Sequence, residues 1–152
     1  MPRPSKQDYY FGVAKNSASR ATCLRRRFGA VIVKDDLIVS TGYCGAPRDW
    51  PNCIDLGKCV RQEQHVPSGE RYELCRSVHA ELNAIINGDR EKIIGGDMYL
   101  YGEEAESGEI FDAYACKMCK RVITNARIKK LYAKTKAGIV EWNVADWAKE
   151  KN

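Results

Sequence analysis

"FGAVIVKDDLIVSTGY", residues 28–43, contains two strands and the turn between them. Its "GAVIV" portion (29–33) is an unbroken apolar run rich in β-branched residues, the pattern of a strand covered on both faces. Lys34, Asp35 and Asp36 supply the turn, and "LIVSTGY" supplies the return strand. Working outward, "DYYFGVAKNSASRAT" (8–22) reads as a helix with Tyr9, Val13 and Ala14 near one face. "VHAELNAIING" (78–88) reads as a second helix, in which Ala80, Ala84 and Ile85 suit burial and Gly88 suits the C-cap. "GGDMYLYG" (95–102) and "IKKLYA" (128–133) read as strands, "CKMCKRVITNA" (116–126) and "NVADWAKEK" (143–151) as helices. Strands alternating with helices argue for an α/β layered domain. Residues 44–75 form a Gly-, Pro- and Cys-containing stretch without periodicity, long enough to need something that organises it.

The 152 residues fit one domain, 1–152, and 44% hydrophobic with 30% charged residues is a soluble globular composition. No apolar run approaches the about 20 residues of a membrane span. "MPRPSKQDYY" lacks the apolar core and cleavage site of a secretory signal, so the expected compartment is the cytoplasm. The net charge of +5 suits an anionic small molecule, and outside "RRR" (25–27) no dense basic run suggests a nucleic-acid partner. Seven cysteines are an odd number, and a reducing compartment disfavours disulfides, so metal ligation is the better reading of clustered thiols.

One of only two histidines, His79, precedes Glu81 by two residues, and "ACKMC" (115–119) follows later in the chain. A catalytic zinc site needs three protein ligands and one open position, which His79, Cys116 and Cys119 satisfy. The Cys-x-x-Cys spacing puts both sulfurs at the first turn of a helix, where free N–H groups and the helix dipole favour thiolate. Within a regular helix residues two apart diverge, so His79 and Glu81 serve one centre only if it lies over the helix's open N-terminal end. Glu81 is then placed to move protons between water activated at the metal and a leaving amine. His-x-Glu with a later Cys-x-x-Cys is the arrangement of zinc deaminases. A purely structural zinc would leave Glu81 without a task.

"CRSVHAELNAII", "FGAVIV", "STGYCGAP" and "CKMCKRVITNARIKKLYA" resemble, in order and spacing from about residue 7 to 147, the deoxycytidylate (dCMP) deaminase family of the cytidine-deaminase-like fold. The resemblance implies a three-layer α/β/α sandwich around a central mixed sheet, usually a homohexamer. It implies hydrolysis of dCMP to dUMP, feeding thymidylate synthesis, with dCTP and dTTP as effectors in many members. His79, Cys116 and Cys119 match the family's zinc ligands and Glu81 its proton shuttle; Asn83 supports the helix end. Arg25 resembles a position near the nucleotide phosphate, with Arg26 and Arg27 as weaker candidates. Tyr114 is placed to flank the base.

Two positions depart from the family pattern. Ala115 stands where Pro usually precedes the first zinc cysteine, which relaxes the fixed φ of the helix start. Cys44 stands where the family has an Asn that hydrogen-bonds the sugar or base, and a thiol is a poor substitute. A modified dCMP or dCTP is therefore an alternative substrate. Another base, such as adenosine in tRNA, is a further alternative, which a broader basic surface would accompany.

Cys23, Cys53, Cys59 and Cys75 form a candidate second, structural zinc set, four thiolates making a closed site, with His65 as a substitute ligand. Some family members carry such a metal on positions resembling Cys23 and Cys53. The other reading is that these are free thiols packed as small hydrophobes.

Overall fold

The computed structural model describes residues 2–150. Five strands form one sheet: β1 (Arg26–Lys34), β2 (Leu37–Tyr43), β3 (Asp97–Glu104), β4 (Lys130–Thr135) and β5 (Gly138–Asn143). Their order is β2-β1-β3-β4-β5. β3 and β4 run parallel and every other pair antiparallel, which makes the sheet mixed. The helices are α1 (Lys6–Ala18), α2 (Cys53–Leu56), α3 (Val60–Glu63), α4 (Ala80–Asn87), α5 (Arg90–Ile93) and α6 (Lys117–Asn125).

The period of two along the central strands makes three layers. Val31 and Val33 of β1, with Tyr99 and Tyr101 of β3, pack against Tyr10, Phe11, Ala14 and Ala18 of α1. Ala30, Ile32, Met98 and Leu100 face the other way, onto Ala80 and Ala84 of α4 and Cys119 and Ile123 of α6. Both faces are covered, as the apolar run at 29–33 required, and the layers are those of an α/β/α sandwich.

Two glycines set how closely the helices seat. A Cβ on Gly29 would lie 2.0 Å from the Ala14 carbonyl oxygen, and one on Gly42 would lie 2.3 Å from the Ala84 nitrogen and 2.5 Å from the Ala80 oxygen. α1 and α4 therefore rest backbone to backbone on β1 and β2. At the β1–β2 turn Asp35 and Asp36 both take positive φ, as a tight two-residue hairpin requires.

Several boundaries differ from the sequence reading. α1 starts at Lys6 because Ser5 caps it, accepting from the Asp8 N–H, and it ends by Ser19. Ala14 is buried and Val13 packs against the core as expected, but Tyr9 is half exposed and Tyr10 and Phe11 take the buried positions instead. β5 was absent from the sequence reading; it is an edge strand, and its exposed Ile139 and Val140 break the alternation that would have marked it. The expected last helix over 143–151 is a 3₁₀ segment, Val144–Lys149, and Lys151 lies outside the described residues. The stretch at 44–75 is not structureless: α2, α3 and a 3₁₀ turn at Tyr72–Leu74 organise it.

Candidate active site

His79 is the N-cap of α4 and Cys116 the N-cap of α6, so two helix starts meet at one point. The backbone around His79 is fixed from β2. Val78 and Gly45 exchange both N–H···O bonds, at 2.7 and 3.2 Å. Asn83 donates to the Tyr43 carbonyl at 2.8 Å and Asn87 to the Thr41 carbonyl at 2.9 Å, clipping α4 to the strand. Asn83 thus supports the start of the helix, as the sequence suggested.

The ligand atoms of His79, Cys116 and Cys119 lie within 4.8 Å of one another. His79 Nδ1 is 3.2 Å from Cys119 Sγ and 3.7 Å from Cys116 Sγ. Tetrahedral zinc with ordinary Zn–N and Zn–S bonds spaces an imidazole nitrogen and a thiolate sulfur by roughly 3.6 Å, so this donor set fits the metal. The Cys116 sulfur also accepts the Cys119 N–H at 3.3 Å, capping α6 with a sulfur. The Tyr72 ring meets the imidazole edge-on, at a centroid distance of 4.8 Å, and fixes its plane.

The electrostatics suit metal and proton traffic. The Cys119 thiol, hydrogen-bonded to it, pulls the Cys116 thiol well below its ordinary value, with His79 adding to the effect. The same bond, burial and the Glu81 carboxyl push Cys119 up. The pair therefore carries one thiolate readily, and a dication is what makes the second favourable. Burial opposes charge on His79, yet the hydrogen bond to Cys116 and the charge of Glu81 raise it overall. Glu81, 4% exposed, sits in the first turn of α4 facing the Cys119 thiol. Burial pushes its carboxyl up, so it takes a proton more easily than a surface glutamate.

Of the residues expected to touch substrate, Arg25, Arg26, Cys44 and Tyr114 all line the pocket that opens onto His79 and Glu81. Arg27 turns to Glu103, 3.1 Å away. Arg26 lies over the Phe111 ring at 3.9 Å. Tyr114 is 52% exposed at the rim, not packed in the core. Cys44 is buried, and burial pushes its thiol up to about 12. Its sulfur accepts the Phe28 N–H at 3.4 Å and approaches the Arg26 carbonyl at 3.8 Å. Cys44 therefore lines the pocket with its sulfur engaged by the β1 backbone. Arg61, Ser68, Tyr72 and Phe111 also line the pocket and went unread in the sequence, because no periodicity or motif marks them.

The second cysteine set is looser than expected. Among the described residues no three of Cys23, Cys53, Cys59 and Cys75 gather as the other three ligands do, and His65 is exposed. Three of the thiols belong to separate short elements, since Cys53 opens α2, Cys59 caps α3 and Cys75 follows the 3₁₀ turn, and Cys23 lies in the irregular segment before β1. They are neighbours nonetheless. Burial, then the charges of Cys23, Cys75 and Cys59, push the Cys53 thiol up.

Comparison with known proteins supplies the class. The pattern of the cytidine and deoxycytidylate deaminase zinc-binding region matches residues 4–135. The chain belongs to that family. It is 33% identical over 129 residues to a deoxycytidylate deaminase of Schizosaccharomyces pombe, covering 85% of this chain and 37% of that protein. It is 34% identical over 135 residues to a deoxycytidylate deaminase of Mycobacterium phage D29, covering 86% and 95%. The dCMP deaminase of cyanophage S-TIM5 in apo form shares the fold, with a TM-score of 0.60, 22% identity and coverage of 88% and 85%. Family members are zinc-binding deaminases, and the chain is an enzyme of that class. Among the described residues no helix is long and apolar enough to cross a membrane.

Proposed function

We propose that this protein, acting as one domain, hydrolyses dCMP to dUMP and ammonia. The observation that carries the reading is the convergence of His79, Cys116 and Cys119 within 4.8 Å beside the buried Glu81. His79, Cys116 and Cys119 would hold zinc, which would supply a Lewis acid that acidifies water. Glu81 would carry one proton of the attacking water to the cytosine ring nitrogen and then the second, from the added hydroxyl, to the departing amine, so that water and dCMP become dUMP and ammonia. Tyr72 keeps the imidazole oriented. The guanidinium-lined part of the pocket suits the phosphate of a nucleotide.

The test is ammonia release from dCMP by the zinc-loaded protein, beside its Glu81→Gln variant. The variant is expected to keep its zinc and its affinity for dUMP while kcat falls about 10²- to 10⁴-fold. Turnover that survives the substitution removes Glu81 from the role. A second reading, a modified dCMP or dCTP as substrate, is favoured by Cys44, whose sulfur is tied to β1 and offers the substrate no amide. Running dCMP, dCTP and 5-substituted dCMP side by side separates the two.

The same reading includes a second zinc on Cys23, Cys53, Cys59 and Cys75, supported by the three thiols that surround Cys53. It also includes a cytoplasmic homohexamer that supplies dUMP for thymidylate synthesis under dCTP and dTTP control. The exposed Trp50, Ile54 and Leu56 are apolar surface such an assembly would cover, and light scattering of the purified protein tests it.

A further inference from the structure

Arg61, at the start of α3, is only 7% exposed and lines the pocket. Its Nε donates to the Glu70 carbonyl at 3.0 Å and its Nη2 to the Pro67 carbonyl at 3.2 Å. Its guanidinium carbon lies 4.6 Å above the Tyr72 ring. All of these partners are neutral. Among the described residues no acidic side chain pairs with Arg61, whereas Arg26, Arg27 and Arg71 each have one. A buried cation without a counter-ion is costly, and the cost is offset when an anion binds beside it.

The neighbours of Arg61 indicate where that anion would sit. Arg26 approaches the same turn from β1, its Nη1 3.5 Å from Ser68 Oγ. Two guanidiniums from different elements thus converge on residues 67–70, and Arg25 lines the same pocket. The Nη1 group of Arg61 takes no part in either carbonyl bond, so donors remain for a ligand. Tyr72 touches both the guanidinium and the His79 imidazole, which links the anion end of the pocket to the metal ligands.

We infer that Arg61 binds the phosphate of the nucleotide, together with Arg25 and Arg26, and thereby makes the pocket prefer a nucleotide over a nucleoside. This assignment rests on the proposed deamination of dCMP. It gives the 44–75 stretch a task in substrate selection that no motif announces.

The test compares wild type, Arg61→Gln and Arg61→Lys for zinc content, thermal midpoint, and kcat/KM on dCMP and on deoxycytidine. Arg61→Gln is expected to lower the preference for dCMP over deoxycytidine about 10- to 100-fold, the size of a charge-assisted contact, chiefly through KM. Inhibition by inorganic phosphate should weaken by a similar factor. Arg61→Lys should retain part of both effects, and it decides the question by the same ratio if the Gln variant does not fold. Equal losses on both substrates would mean that Arg61 only braces the 67–70 turn, which overturns the assignment. A wild-type protein that turns over dCMP with no loss of preference in either variant overturns this inference alone. A zinc-loaded wild type that neither binds nor turns over dCMP overturns the functional reading, and the inference with it.

Discussion

The two cysteine-bearing regions of this molecule use the same donor chemistry on different scaffolds. Cys116 and Cys119 share one turn of α6, and His79 caps a helix whose seat on β2 is fixed by Gly42, Asn83 and the Gly45–Val78 bridge. Cys23, Cys53, Cys59 and Cys75 come from four separate places, three of them in or flanking elements of three or four residues. The first set converges because regular structure places it, and no side chain need find its partners through a flexible segment. The second set is adjacent but open. Helix starts preorganise a site, whereas short loop-borne elements leave ligands to be drawn together by what they bind.

The largest effect expected from this contrast is at the preorganised site. His79→Ala removes the only imidazole of the three ligands. The fold should survive, since its two cores are built from other residues. Zinc content should drop by one equivalent, and turnover should fall below detection, as measured by metal analysis and ammonia release on the same preparation. Near-normal turnover would mean that the convergence of the two helix starts is not the catalytic centre, and the distinction between the two regions would lose its functional meaning.

The same contrast explains what the sequence disclosed. The strand at 29–33 was legible because an apolar run covered on both faces leaves a compositional mark. His79, Glu81, Cys116 and Cys119 were legible because their spacing encodes helix-cap geometry directly. β5 was not, because an edge strand with exposed Ile139 and Val140 carries no alternation to read. Arg61 was not, because its burial depends on carbonyls of Pro67 and Glu70 and on the Tyr72 ring, contacts set by tertiary structure alone. Cys44 was legible as a departure from the family pattern, but its engagement with the β1 backbone required coordinates.

An intermediate effect should come from disturbing the seat of the preorganised site without touching a ligand. In Gly42→Ala the new methyl would lie 2.3 Å from the Ala84 nitrogen and 2.5 Å from the Ala80 oxygen. Both are backbone atoms of α4, so α4 must shift away from β2. Overpacking of this kind costs about 1–3 kcal/mol, which should appear as a lowered thermal midpoint. Because His79 and Glu81 ride on the start of α4, kcat should fall as well, while zinc content holds. A variant that loses stability but keeps the wild-type kcat would show that the seat of α4 is not what positions the site.

The smallest effect on turnover, and the sharpest test of the open set, is Cys59→Ser. Cys59 is the N-cap of α3 and makes no side-chain capping bond, so serine, a good capping residue, should leave the local backbone intact or slightly steadier. Any loss then reports the thiol itself. If Cys59 joins Cys23, Cys53 and Cys75 around a second zinc, the variant should bind less than two zinc per chain and melt at a lower temperature. Its turnover of dCMP should stay within a few-fold of wild type, because none of the atoms of the His79 centre is altered. An unchanged zinc-to-protein ratio would exclude Cys59 as a ligand. The four thiols would then be neighbours through packing alone, as small apolar side chains around the buried Cys53.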